Sequence, residues 1–69
     1  MTSAWLIEYE HGSRPCWISD LVRHHSFDVT YNPLLAKRFT SAEEARTTIK
    51  KLGLGAEWKA VEHYVPSRY

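Results

Sequence analysis

Four histidines are the side chains of this 69-residue chain best suited to binding a metal ion. His24 and His25 are adjacent, whereas His11 and His63 lie far from them in the sequence. Zinc ligands occur at short fixed spacings in paired motifs, and the chain has no second cluster with such a spacing. We therefore interpret His24 and His25 as solvated loop residues and expect neither a metal nor a cofactor. His63 follows Glu62 in a predicted strand, where neighbouring side chains point to opposite faces, so we expect a structural or surface role for it.

Nucleophilic catalysis by a thiol would require an activating base. Cys16 could act as the nucleophile with His24 or His25 as its base. The chain around Cys16 has no glycine-rich elbow and no oxyanion-type loop, so we predict a small buried residue there. The acidic residues are scattered, and Glu43 and Glu44 suit the start of a helix. No glycine-rich phosphate loop is present. These patterns predict a protein that is not an enzyme.

Basic side chains could form a nucleic-acid-binding patch on the predicted main helix. Arg46 and Lys50 are four residues apart and share one side of that helix. The other members of such a patch would be Arg23, His24, His25, Lys37, Arg38 and Lys51. However, nine basic and eight acidic residues leave a net charge of +1, whereas a dedicated nucleic-acid binder is expected to be clearly basic. We favour a solvated helix face and keep nucleic-acid binding as the alternative.

Aromatic residues are abundant, with three Trp, four Tyr and two Phe. Trp5, Trp17 and Trp58 each fall in a predicted strand, where they could fill the core of a small domain. However, the aromatic residues are more numerous than one short helix can cover. At least one aromatic patch would then be exposed, and Trp and Tyr are preferred anchors at protein interfaces.

One helix is predicted within residues 39–54, and the residue types indicate its start, its buried face and its end. Ser41 with Glu44 forms a capping box, and Thr40 with Glu43 offers the same pairing one residue earlier. Gly53 can adopt the left-handed conformation that ends a helix, and Leu54 would fold back on the last turn. The residues with helical spacing on the predicted buried face are Ala42, Ala45, Ile49 and Leu52.

The rest of the chain predicts short strands with alternating side chains. The predicted strands are 5–10, 16–18 and 57–65, with a further short strand or extended arm at 27–31. Residues 20–26 either extend the second strand or form a helical turn, and Asn32-Pro33 opens a short helix. The predicted fold is therefore a single α+β domain over residues 1–69, with a fraying tail at 66–69. It is a two-layer sandwich in the order β-β-(short α)-α-β, with a small antiparallel sheet and the main helix on one face. The second face of the sheet is either covered by residues 20–38 or open.

The length and composition limit the function further. A chain of 69 residues buries a modest core, and its single cysteine excludes an internal disulfide and suits a reducing compartment. No apolar run approaches the length of a membrane span, and the N-terminus does not have the pattern of a signal peptide. We therefore expect a soluble cytoplasmic protein with no membrane partner.

Four short motifs stand out along the chain. They are W-L-I-E at 5–8, C-W-I at 16–18, A-K-R-F-T-S-A-E-E-A at 36–45 and V-E-H at 61–63. With these motifs the chain resembles the short uncharacterised proteins of phages and of prophage regions in proteobacteria. The resemblance implies a small accessory protein of a mobile element. Such proteins often bind a host protein, as anti-CRISPR inhibitors of bacterial immunity do. The stretch 20–28 is longer than is usual for this type, which makes it a candidate for a function specific to this chain.

The sequence thus predicts a non-enzymatic protein-binding module that acts by steric contact with a larger host protein. Loop positions and exposed strand positions supply such contacts. The predicted partner-binding residues are Trp17, Arg23, His24, His25, Tyr31 and Arg38. A homodimer, formed through an open sheet face or an edge strand, is compatible with this function and would enlarge the small core.

Overall fold

The computed structural model describes residues 2–10, 12–23 and 26–65. Within these ranges the chain forms four strands, one 3-10 helix and one α-helix, α1. The strands are β1 (Thr2–Tyr9), β2 (Cys16–Arg23), β3 (Ser26–Thr30) and β4 (Trp58–Val65), the 3-10 helix is Pro33–Leu35, and α1 is Ala42–Lys51. The predicted fraying of residues 66–69 lies outside the described residues.

The strands form one antiparallel sheet in the order β3-β2-β1-β4. β1 and β4 pair along their whole length, from Thr2 opposite Val65 to Tyr9 opposite Trp58. β2 and β3 pair with two register shifts, between Ile18 and Asp20 and between Leu21 and Arg23. With α1 packed against the sheet, this confirms the predicted α+β class.

Both ends of α1 follow the local chemistry of the sequence. Ser41 is the N-cap, and its hydroxyl accepts a hydrogen bond of 3.1 Å from the Glu44 amide. The Glu44 carboxylate accepts from the Thr40 amide at 3.3 Å, and not from the N-cap amide that the capping box implied. At the other end Gly53 has a φ of 69°, and the Leu54 amide donates to the Ile49 carbonyl at 3.1 Å. This pair of features is the Schellman ending, so the predicted stop of the helix is confirmed.

The main core lies between α1 and the sheet. Its buried members are Ile7 from β1, Ile18 from β2, Phe39 and Ala45. Ala45 has no exposed surface, so α1 can approach the strands closely. The half-buried residues around this core are Trp5, Leu21, Phe27, Ile49, Leu52, Leu54, Trp58 and Ala60. Apolar burial of this kind is the main stabilising contribution in a small domain.

β1 and β2 separate after two paired positions, and residues 36–39 run through the gap between them. The strands pair at Glu8 opposite Trp17 and at Tyr9 opposite Cys16. Beyond these positions the Lys37 amide donates to the Ile18 carbonyl at 2.9 Å, and Phe39 forms an antiparallel bridge with Trp5. The inserted segment therefore satisfies backbone groups that the two strands would otherwise have shared.

The inserted segment also connects the two faces of the sheet. Ala36 is buried with Leu6 and Trp17 in a second cluster, whereas Phe39 is buried with Ile7 in the core beneath α1. Leu6 and Ile7 are neighbours on β1, so their side chains lie on opposite faces. Of the two alternatives for the second sheet face, the structure therefore shows cover, at least over Leu6 and Trp17.

Candidate binding surface

The polar cluster on the second sheet face consists of Glu8, Trp17 and His63. The Trp17 indole nitrogen donates to Glu8 Oε1 at 3.0 Å, and the His63 Nε2 atom lies 3.5 Å from the same oxygen. The Trp17 and His63 rings meet edge to face with centroids 5.7 Å apart. The side chains of Glu8 and His63 are 17% and 28% exposed, so little water reaches the carboxylate. The cluster joins three strands and is a structural contact of the fold.

Trp17 is consequently not an exposed anchor for a partner. Its side chain is only 6% exposed, because Leu6 and Ala36 pack against it and its N–H is bound by Glu8. Trp17 was predicted as an exposed strand residue, because nothing in the local sequence pattern shows that Ala36 covers it. Removal of Trp17 would disturb the core and would not isolate a contact with a partner.

Tyr31 is the predicted binding residue that the structure places most openly. It lies directly after β3 and is 58% exposed. The Arg14 guanidinium carbon lies 4.5 Å from the centre of its ring, which is a cation–π contact. This contact holds the ring in place and leaves much of it available to a partner.

The other predicted residues divide into two groups. Arg38 is half-buried within the inserted segment, so its side chain is engaged with the fold. Arg23 is the last residue of β2, and its side chain lies outside the described residues. His24 and His25, which join β2 to β3, lie outside them entirely.

Several exposed apolar side chains of the described residues fall within one stretch of the sequence, from the end of β2 to the 3-10 helix. We call this set the 22–35 surface, and its members are Val22, Val29, Tyr31, Leu34 and Leu35. Leu35 is 62% exposed, although it is a large aliphatic residue. None of the three residues of the 3-10 helix is buried. The residue that follows the helix, Ala36, packs against Leu6 and Trp17 of the sheet. Leu34 and Leu35 were not among the predicted binding residues, because a short helix with two leucines is usually expected to pack them against the sheet.

Two carboxylates oppose each other beside this surface. Asp20 on β2 is the cross-strand partner of Asp28 on β3, and both residues are exposed. Directly opposed like charges on a sheet repel each other. Lys59 pairs with Glu10, and His63 lies against Glu8, so neither of these side chains neutralises Asp20 or Asp28. The acidic pair therefore places two carboxylates in this region, which also carries the Arg14 guanidinium over the Tyr31 ring.

The aromatic side chains on the strands beneath α1 pack against one another and against the main core. The Trp58 ring packs against Tyr9 and Phe27, with centroids 4.9 and 5.4 Å away. Trp5 is also part of the main core. The aromatic sheet that the nucleic-acid alternative invoked is therefore covered by α1 at these positions. Tyr64 on β4, which is 72% exposed, is the strand aromatic most open to solvent in the described ranges.

Cys16 is buried, as the sequence predicts, and burial raises the pKa of its thiol. A thiol in this setting stays protonated and is a poor nucleophile at neutral pH. Among the residues that the structure describes, no three His, Cys, Asp or Glu side chains are grouped closely enough to hold a metal ion. His11, His24 and His25 lie outside that set.

No helix in the described ranges is both long enough and apolar enough to cross a membrane. Comparisons with protein-family models, with curated proteins and with solved structures found no match.

Proposed function

We propose that this protein is a non-enzymatic binding module that acts in the cytoplasm and docks its 22–35 surface onto a larger protein. The observation that supports the proposal is the exposure of five apolar side chains within one short part of the chain. Single exposed apolar residues are ordinary, and we propose that these five, which are close in the sequence, contact one partner together around the β3 edge of the sheet. The aliphatic and aromatic members would enter pockets of the partner, with Tyr31 as the aromatic anchor.

The acidic pair adds a charge requirement to the partner. A Lys or Arg side chain of the partner, placed between Asp20 and Asp28, would relieve the repulsion between the two carboxylates. Contacts of this kind increase the rate of association and the specificity, and salt weakens them. The proposed partner therefore presents an apolar site with a basic rim.

The class of partner follows from the resemblance to phage and prophage proteins. We propose a host protein or complex, with a bacterial defence system as the leading candidate and an anti-CRISPR-like steric block as the mechanism. The two-layer arrangement of helix and sheet would serve as a rigid scaffold that holds the 22–35 surface in place. Arg23, His24 and His25, which join the strands that carry this surface, remain part of the proposed site.

The proposal is tested by affinity capture from a host lysate with two matched variants. Leu35→Lys places a charge in the middle of the proposed apolar contact, at a residue that is 62% exposed and so contributes little to folding. Thr47→Lys places the same charge on the exposed side of α1, away from the surface. We expect the wild type and Thr47→Lys to retain the same host protein and Leu35→Lys to lose it. Purification of that protein would then allow its affinity to be measured against salt concentration.

The proposal fails if Leu35→Lys and Thr47→Lys capture the same proteins with equal yield. It also fails if the wild type captures nothing that an unrelated small domain does not. Circular dichroism spectra of both variants should match the wild type, so that a loss of capture reflects the surface and not the fold.

Nucleic-acid binding is the second candidate, and one observation favours it. Arg46 and Lys50 are both exposed and four residues apart on α1, so they form a basic strip on the solvent side of the helix. Binding through this strip would weaken steeply with salt. A mobility-shift series that shows no complex even at low salt would eliminate this candidate, whereas a complex that Arg46→Ala weakens would support it.

A further inference from the structure

β4 is a long and regular strand with a free edge. It pairs with β1 at eight consecutive positions and without a register shift. In the sheet order it is the last strand, so in the described part of the chain no strand lies on its other side. On that side the Trp58 amide donates to the Gly55 carbonyl at 3.2 Å, so the edge offered to a further strand begins after Trp58.

The opposite edge of the sheet is protected in ways that β4 is not. β3 has five residues, and two register shifts interrupt its pairing with β2. Short length and bulges are devices by which proteins prevent edge strands from pairing with other chains. β4 has eight residues, no proline and no register shift.

The polar side chains of β4 turn towards β1 and away from the free edge. The Lys59 ammonium lies 3.0 Å from the Glu10 carboxylate, and His63 lies against Glu8. The Glu62 carboxylate accepts a hydrogen bond from the Ser3 hydroxyl. Charged side chains that could repel an incoming strand are therefore held by contacts within the chain.

We propose that β4 pairs antiparallel with β4 of a second copy, with the twofold axis at Val61. In this register Val61 faces Val61 of the other copy, and Trp58 faces Tyr64 of the other copy. Because the axis repeats every contact, the dimer gains two cross-strand aromatic pairs. In each pair the exposed Tyr64 ring packs against a Trp58 ring that keeps its contacts with Tyr9 and Phe27 of its own chain. Tyr64 has the exposure that this pairing requires, since 72% of it is accessible. The result is an eight-stranded sheet made from two four-stranded sheets.

The neighbouring registers are less favourable. Opposed residues in an antiparallel pair must lie on the same face of the sheet. The twofold axis must therefore pass through a residue, because an axis midway between two residues would oppose side chains from different faces. An axis at Glu62 places two Glu62 carboxylates opposite each other, and like charges in that position repel. An axis at Ala60 places Trp58 opposite Glu62 and forms no aromatic pair. The Val61 register does bring Lys59 opposite His63, but each already lies beside a carboxylate of its own chain.

The proposed dimer is independent of the 22–35 surface. The sheet order puts β3 and β4 at opposite edges, so pairing through β4 leaves the β3 edge of each copy available. The two proposals can therefore fail separately.

Mass measurement and cysteine cross-linking test the dimer. Light scattering after size exclusion should give twice the monomer mass of 8.1 kDa at high concentration. In a Cys16→Ala background, Val61→Cys should form a disulfide across the axis on mild oxidation. Opposed Cα atoms of an antiparallel pair are about 4.5 or 5.5 Å apart, a distance that a disulfide can span. Val29→Cys in the same background is the matched control on β3, and we expect it to give no disulfide-linked dimer on the same oxidation.

A third variant tests the register without cross-linking. Tyr64→Lys removes both aromatic pairs at a residue that contributes little to the fold of the monomer, and we expect it to weaken dimerisation about tenfold. The proposal is overturned if the wild type stays at the monomer mass at the highest concentration reached. It is also overturned by a dimer in which Val61→Cys gives no cross-link, or in which Tyr64→Lys dimerises as tightly as the wild type.

Discussion

The hydrogen bond between Trp17 and Glu8 gives the sharpest test of how the second sheet face is held. Trp17→Phe keeps an aromatic ring in the buried site and removes the N–H that donates to Glu8 Oε1 at 3.0 Å. The Glu8 side chain is only 17% exposed, so in the variant its carboxylate loses the indole hydrogen bond and water can replace that bond only in part. We expect the variant to fold and to be less stable than the wild type.

The size of the effect follows from the burial. A hydrogen bond to a charged group contributes about 1.5 to 3 kcal/mol, and an unsatisfied buried partner adds to the loss. We expect the free energy of unfolding to fall by about 2 kcal/mol, against a total of about 3 to 10 kcal/mol for a chain of this length. With a urea dependence of about 1 kcal/mol per molar, the unfolding midpoint should fall by about 2 M.

Urea unfolding followed by circular dichroism is the suitable assay, because the substitution itself removes a tryptophan fluorophore. The double variant Trp17→Phe with Glu8→Leu removes both the donor and the acceptor. We expect it to be more stable than the sum of the two single effects implies, by about 1 kcal/mol or more. This coupling separates the hydrogen bond from the change in packing that each substitution also causes.

Two results would refute this account of the cluster. One is a Trp17→Phe variant whose unfolding midpoint equals that of the wild type. The other is a pair of substitutions whose effects add to within about 0.5 kcal/mol, since independent sites behave in that way.

The remaining predictions concern the ends of α1 and the buried thiol. Ser41→Ala removes the hydroxyl that accepts from the Glu44 amide, and thermal unfolding should show a loss of about 1 kcal/mol. Gly53→Ala places a side chain at a φ of 69°, and the same measurement should show a loss of about 1 to 2 kcal/mol, whereas Gly53→Asn should lose less. Cys16 should react slowly with a thiol reagent at neutral pH and rapidly in denaturant, because burial raises the pKa of its thiol in the folded state. Since the folded thiol has the higher pKa, its contribution to stability is complete below the pKa of the unfolded thiol. It is lost as the pH rises through the folded value.

Each of these predictions has an outcome that contradicts it. A Ser41→Ala variant as stable as the wild type would show that the cap contributes nothing. Equal losses for Gly53→Ala and Gly53→Asn would show that the positive φ is not the cause. Equally fast labelling of Cys16 in native and denatured protein would contradict its burial.

The sequence alone determined the elements whose cause is local. Ser41, Gly53 and the charges at its two ends define α1, because capping and the helix dipole act within one turn. In β1 and β4 Ile7 and Trp58 lie on the face that α1 covers, but strand alternation alone did not say which face that is. β2 was predicted as 16–18 with an undecided continuation, and the structure extends it to Arg23, because pairing with β3 supports residues that have no clear alternation of their own.

Only the tertiary structure decided how the second sheet face is covered and which residues remain exposed. The passage of residues 36–39 between β1 and β2 depends on hydrogen bonds to Ile18 and Trp5, which are distant in the chain. That passage buries Trp17, which the sequence offered as an anchor, and leaves Leu35 in solvent. Likewise, alternation showed that His63 does not face Glu62, but only the strand register brings it to Glu8. Local signals determine where elements begin and end, whereas contacts between residues far apart in the chain determine which side chains a partner can reach.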